Sequence, residues 1–379
     1  MTRNIDPDRI HETSLVADLH CDTVLQMKRG YDFSRRHESY HVDIPRLKAG
    51  GINLQAFACC ASIFTPEGQR FGKADSMVKC LISEMAKHPG DIAVCRDASD
   101  AEEIIASGRI AALLAIENGM AIENSLENLE YFHHQGVRYM TLTHCQSLDW
   151  CRSCSDSENE PAGLSEFGRE VVRTMNRLGM IIDVSHISKA SFFDVLETSS
   201  QPVIASHSNV YSISPHNRNL NDDQIRALAQ NGGMMGINFW GDILSKKYAE
   251  AASAVYKNYL KELKDIDEHY SEDMNEEEYQ RRFAFLGRFI AEVSAAAGDN
   301  MPSSATVVDH IDYIVRLVGP DHVGLGSGFD GIFIPPSDLR DCSQMPNITR
   351  EMNRRGYGEN DIRKILGGNF MRVFRQVCS

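Results

Sequence analysis

Apolar residues in this chain cluster in short runs separated by longer stretches of helical periodicity. Eight runs have the length and apolar character of strands buried on both faces: LVADLH (15–20), INLQAFA (52–58), IAALLAI (110–116), VRYMTL (137–142), MIIDVS (180–185), VIAS (203–206), MMGINF (234–239) and HVGLGS (322–327). Between them lie punctuated helix patterns. In LSEFGREVVRTMNRLG (164–179), Ser165 is placed to cap and Gly179 to stop a helix, and DDQIRALAQNGG opens with two carboxylates at its positive end and closes on Gly232 and Gly233. Eight β/α alternations predict an α/β fold of the (β/α)8 TIM-barrel type. An open doubly wound sheet would bring a glycine-rich phosphate loop after an early strand, and neither GxGxxG nor GxxxxGK[ST] occurs.

One stretch, from about 240 to 299, does not fit the alternation. YKNYLKELKDIDEHY and YQRRFAFLGRFIAEVSAAA read as two helices joined by the acidic turn SEDMNEEE, and its charges as a solvated helical face. The expectation is a single barrel domain over 1–379 with a helical insertion after the seventh strand.

Composition narrows the function classes. Of 379 residues, 42% are apolar and 24% charged, as in an ordinary globular protein. The 39 Lys and Arg against 53 Asp and Glu leave a formal charge of −14, which disfavours a nucleic-acid partner. No run approaches the ~18 consecutive apolar residues of a membrane span, and MTRNIDPDRIHETS lacks the apolar centre of a signal peptide, so a cytoplasmic protein is expected. Ten scattered cysteines read as reduced thiols, and the Cys151/Cys154 pair, with no second CxxC, as part of a polar loop.

The chemistry lies at the strand ends. The first run ends in His20, with Asp22 two residues on; Glu117 follows the third, His144 the fourth, and the fifth and sixth lead to His186 and His207. In a parallel barrel the carboxyl ends of all strands share one mouth, so these residues converge. Imidazoles with carboxylates suit zinc or a similar divalent ion, and five protein donors exceed the three that one catalytic zinc takes. Two metals are therefore expected, with Glu117 as bridge because a carboxylate offers two oxygens, His20 and Asp22 completing one site and His186 and His207 the other.

The runs VADLHCDT, GVRYMTLTH, GLSEFGREVVRTMNRLGMIIDVSHIS, PVIASHSNVYSISPHNRNLNDD, NGGMMGINF and DHIDYIVRLVGPDHVGLGS resemble the membrane dipeptidase (renal dipeptidase) family of the amidohydrolase superfamily, from about Leu15 to Phe374. The resemblance implies a barrel holding two zinc ions on His20, Asp22, Glu117, His186 and His207. It also implies a small peptide substrate, hydrolysis of its amide bond by a metal-bridging hydroxide, and a homodimer. The family's substrate-orienting histidine falls on His144 and its carboxylate-binding arginine on Arg218, whose fork offers two parallel donors. One departure stands out. Where the family carries its catalytic aspartate the chain has Gly328, in the run Gly326, Ser327, Gly328, Phe329, Asp330, Gly331. Strand alternation would put Asp330 on the same side as position 328, displaced by roughly 6 to 7 Å, making it a weak substitute. Impaired turnover is therefore expected, with hydrolysis of N-acyl amino acids or lactams, or metal-dependent binding without catalysis, as alternatives. A smaller departure, Asn118 after the glutamate, is expected to narrow the pocket.

Overall fold

The computed structural model describes residues 6–378 apart from 38, 61–64, 157–161 and 269–275, with the side chains of 264–268 and 276–283 also left aside. Nine parallel strands are laid down in chain order: β1 (Ala17–Cys21), β2 (Leu54–Cys60), β3 (Ile92–Cys95), β4 (Ile110–Glu117), β5 (Val137–Thr141), β6 (Ile181–Asp183), β7 (Ile204–Ser208), β8 (Met234–Ile237) and β9 (Val323–Leu325). β9 pairs with both β1 and β8, and β2 pairs with β4 from Leu54↔Ala111 to Cys60↔Glu117, closing eight of the strands into a barrel. The fold is thus a (β/α)8 barrel, and its eight staves coincide with the eight apolar runs.

The ninth strand is the one the pattern does not announce. β3 pairs with the first half of β4 (Ile92↔Ile110 to Cys95↔Leu113), on residues preceding those that β5 takes (Leu114↔Val137 to Glu117↔Thr141). It has four residues and the middle two are only partly buried, so it lacks the continuous apolar signature of a stave.

Alternation along the staves separates two cores. Leu54 and Ala56 of β2, Ala111, Leu113 and Ala115 of β4, Tyr139, Ile181 and Ile204 pack together in the lumen, and Phe370, Met371 and Phe374 of the C-terminal helix Asn369–Val377 pack in the same cluster. Residues of the opposite parity, such as Ala112, Leu114, Ile116, Met140 and Ile182, belong to a second cluster with the helices. Glu117 continues the lumen parity of 111, 113 and 115 and so projects into the barrel mouth. Register shifts between Asp18 and Cys21 in β1 and between Ala205 and Ser208 in β7 lie where His20 and His207 leave their strands.

The punctuation works as expected. The Ser165 hydroxyl accepts from the Gly168 amide to open the helix Glu166–Leu178, and Gly179, at φ 72°, ends it. The helix Asp222–Gln230 opens on a reciprocal Asn221/Gln224 capping box, with Asp222 and Asp223 in its first turn. The insertion follows β8 as helices Lys246–Glu268 and Glu276–Ala297; most of the acidic turn between them lies outside the described residues. Its apolar face is covered, since Tyr248, Ala252, Phe285, Phe289, Val293 and Ala297 pack with Ile334 of the loop after β9. No helix of the described residues is long and apolar enough to cross a membrane.

Candidate metal centre

Glu117 is the hub of the barrel mouth. Its Oε1 lies 3.6 Å from His20 Nε2, 3.4 Å from His186 Nε2, 3.4 Å from His207 Nε2 and 3.8 Å from His144 Nε2. Asp22 Oδ2 stands 3.6 Å from His20 Nε2, and the Nε2 atoms of His186 and His207 are 2.9 Å apart. All five residues expected to bind metal therefore meet, with the His20, Glu117 and His207 donor atoms within 4.8 Å of one another.

His207, His20, His186 and Asp22 are each positioned by contacts of their ring, backbone or close neighbours. The Ser206 hydroxyl donates to Asp183 Oδ2 (2.6 Å), leaving its lone pair to accept from His207 Nδ1 at 2.7 Å, which fixes the tautomer with the Nε2 lone pair toward Glu117. Asp183, wholly buried, also accepts from Thr141 Oγ1 and from the amides of Ser185 and Ser206. Behind His20, the Tyr139 hydroxyl donates to the Leu19 carbonyl and lies 3.4 Å from His20 Nδ1. His186 holds φ 69°, a conformation costly for a residue with a Cβ. Its carbonyl accepts from the Cys154 amide and the hydroxyls of Thr143 and Ser153, which pin that geometry. Asp22 is held by its amide, which donates to the Phe329 carbonyl, and is approached so closely by Gly331 that a Cβ there would lie 2.1 Å from Asp22 Oδ2.

The electrostatics suit a cation. Burial pushes the pKa values of His20, His186 and His207 down, His20 to about 3, so the imidazoles are neutral and their lone pairs available. Burial also opposes a charge on Glu117, but protonated imidazoles around it would outweigh burial and hold the carboxyl well below its ordinary range, and a cation does the same where the imidazoles are neutral. Burial and then the Glu117 charge drive Asp22 well above its ordinary value. Two carboxylates beside one imidazole cannot both ionise without a counter-charge, and a divalent cation supplies it. The residues fit such an ion on chemistry as well as position. His186 Nδ1 is buried with no hydrogen-bond partner, so polar capacity remains unspent in the site.

Arg218 is buried, donates through Nη2 to the His207 carbonyl (3.0 Å), and leaves Nη1 buried without a partner; among the described residues no carboxylate pairs with it. His144 is half-buried. Burial works against its charge, but Glu117 and Cys145 outweigh it and raise its pKa to about 9.

One expectation needs correction. The segment after β9 is not extended: Gly328 has φ 71° and Asp330 φ 67°, and the Gly328 carbonyl accepts from the amides of Gly331 and Ile332. Alternation therefore does not place the Asp330 side chain on the same side as position 328. Its Oδ2 accepts from the Thr23 hydroxyl and its Oδ1 from the His41 amide, both at 2.6 Å, and its side chain is fully buried. Asn118, at φ 83°, spends its side-chain oxygen on the Met120 amide in the turn after β4. Sequence reasoning did not single out Asp183, Ser206 or Tyr139. Asp183 and Ser206 stand in the same short runs as His186 and His207, and that adjacency was the available signal. Cys151 and Cys154 join none of the metal-capable groups among the described residues.

A parallel barrel with neutral imidazoles and carboxylates gathered at its carboxyl mouth defines a protein of metal-dependent hydrolase architecture. Within that class the chain belongs to the membrane dipeptidase family, peptidase family M19, whose model matches residues 6–379. It is 30% identical over 377 residues to dipeptidase tcpJ of Claviceps purpurea (strain 20.1), covering 95% of this chain and 76% of that protein. The solved structure of dipeptidase AC, a metallopeptidase of family M19, superposes with a TM-score of 0.75 at 26% identity, covering 96% of this chain and 99% of that one. The probable dipeptidase PvdM from Pseudomonas aeruginosa shares the fold at 23% identity (TM-score 0.79), covering 98% and 97% of the two chains. Dipeptidase tcpJ and dipeptidase AC are by name hydrolases of peptide bonds.

Proposed function

We propose that this chain is a dipeptidase working with two zinc ions held by His20, Asp22, Glu117, His186 and His207, with Glu117 shared between them. The observation that carries the reading is the placing of three neutral imidazole nitrogens within 3.4 to 3.6 Å of one Glu117 oxygen. Bound there, the metal supplies Lewis acidity and a water acidified to near-neutral pKa. The protein does the rest. Arg218, with Nη1 unspent, receives the C-terminal carboxylate of the substrate. His144, 3.8 Å from the Glu117 carboxylate, is placed to donate a hydrogen bond to the scissile carbonyl oxygen as charge develops there. Holding the terminal carboxylate so near the reacting carbonyl restricts the substrate to a short peptide.

Position 328 offers no carboxylate, and Asp330 is committed to Thr23 and His41. Proton transfer to and from the attacking water then lacks a dedicated base, which costs ~10² to 10⁴ in rate. The same vacancy leaves no anion to meet a free amine, and this favours N-acyl amino acids as a second reading. A panel of L,L and L,D dipeptides, their N-acylated forms and their C-terminal amides, assayed with zinc, separates the two. The dipeptidase reading predicts slow turnover of free dipeptides, and Arg218→Ala raising KM for them ~10- to 100-fold while abolishing the preference over the amides. Turnover of N-acyl amino acids alone would overturn it.

A further inference from the structure

Two buried aspartates each hold a serine of the neighbouring stave in the same way. Asp183 of β6 accepts the Ser206 amide on Oδ1 (2.8 Å) and the Ser206 hydroxyl on Oδ2 (2.6 Å), and Ser206 fixes His207. Asp18 of β1 accepts the Ser327 amide on Oδ1 and the Ser327 hydroxyl on Oδ2, both at 2.7 Å, where the chain leaves β9. Gln55 Nε2 adds a donor at 3.1 Å, and the His20 amide also faces this carboxylate, which is wholly buried. A buried carboxylate surrounded by neutral donors is an unfavourable way to fill space, but its two oxygens fix direction. What Asp18 directs is a bulge beside two of the metal donors. Asp18 pairs with Leu325 and Cys21 with Phe329, so residues 19–20 face 326–328, with the extra residue on the β9 side. From this bulge the Gly328 amide donates to the His20 carbonyl (3.0 Å), and the Phe329 carbonyl accepts from the Asp22 amide (2.9 Å). The Ser327 hydroxyl also accepts from the Phe329 amide (3.1 Å). His20 and Asp22 are thus both held by their backbones on segment 327–329, and Asp18 anchors that segment.

We propose that Asp18 is a positioning residue for His20 and Asp22, acting through Ser327 as Asp183 acts through Ser206 for His207. Its effect on one ion and not the other rests on the paired-metal reading above. In Asp18→Asn one acceptor oxygen becomes an NH2 group, which cannot accept. Either the amide or the hydroxyl of Ser327 is then released, the bulge loosens, and the His20 and Asp22 donors lose their spacing. The Asp183 contacts that serve His207 are untouched.

Zinc affinities from chelator competition, together with amide hydrogen exchange of the metal-free proteins, test this. Asp18→Asn should weaken one zinc ~10- to 100-fold and leave the other at its original affinity, and adding Asp183→Asn should weaken the second ion as well. Ser327→Ala, which keeps the amide bond to Asp18, should weaken one ion to a smaller degree, and it carries the test if Asp18→Asn does not fold. Without metal, the amides of Asp22, Ser327 and Gly328 should lose protection in Asp18→Asn while those of Ser206 and His207 keep it. A merely structural aspartate would lower stability without choosing between the ions or between the two sets of amides. Equal weakening of both ions, or unchanged protection at Asp22 and Gly328, would therefore overturn the proposal. Selective loss of protection at those amides, in a chain whose unsubstituted form binds fewer than two zinc ions, would uphold the positioning role and count against the paired centre instead.

Discussion

Gly328 occupies a left-handed backbone conformation, and a Cβ built on it would stand 2.7 Å from Asn238 Nδ2. An aspartate introduced there therefore sets the proposed catalytic gain against a structural cost. Gly328→Asp should raise kcat for dipeptides ~10²-fold or more, while lowering stability by about 1 to 2 kcal/mol for the left-handed residue plus displacement of the Asn238 amide. Steady-state kinetics beside urea unfolding would show both, and an added Asn238→Ala should return part of the stability. An unchanged kcat would mean that position 328 is not where the base is missing. Ser206 carries a second residue-level claim. Since its hydroxyl links Asp183 to His207 Nδ1, Ser206→Ala should weaken metal affinity ~10- to 100-fold, measured by chelator competition. Affinity equal to that of the unsubstituted protein would reduce this link to ordinary packing.

At the scale of elements, the loop bearing Arg218 is tied to the rest by a histidine. His310, on the helix Ser304–Val318, accepts from the Val210 amide through Nδ1 and donates through Nε2 to the Leu244 carbonyl. It thereby joins the stretch after β7 to the start of the insertion. Burial lowers its pKa to about 4, against 6.5 unperturbed. The folded pKa lies below the unfolded one, so the stabilisation is full above pH 6.5 and is lost as pH falls toward 4, amounting to about 3 kcal/mol. Thermal unfolding of metal-free protein across that window should show the loss, and His310→Gln should flatten the slope; an equal slope in both proteins would contradict it. The staves themselves were legible because each is a short apolar run buried on both faces. β3 was not, since it is too short and too exposed to carry that signature. The turn at 328–330 was not either, because glycine and aspartate at positive φ are a matter of backbone conformation that strand alternation cannot foresee.

Across the whole molecule, closure of the barrel explains why so much of the site could be anticipated. Once β2 pairs with β4 and β9 with β1, the carboxyl ends of all eight staves must meet, and His20, Glu117, His186 and His207 meet with them. The supporting shell was less visible because Ser206 and Tyr139 act through hydrogen-bond direction, which spacing does not encode. Closure also gathers the buried Asp22 and Glu117 carboxyls beside three imidazoles, so an ion that binds these groups in the folded state and not in the unfolded chain would stabilise the fold by linkage. Zinc at a hundredfold excess over Kd should add about 3 kcal/mol and raise Tm by several degrees, whereas chelator should reverse the shift. An anomalous difference map, recorded at the zinc edge from crystals of zinc-equilibrated protein, shows whether Glu117 is shared between two metals as proposed. Two peaks should flank the Glu117 carboxylate, one beside His20 and Asp22 and the other beside His186 and His207. A single peak, or none at these side chains, would contradict it.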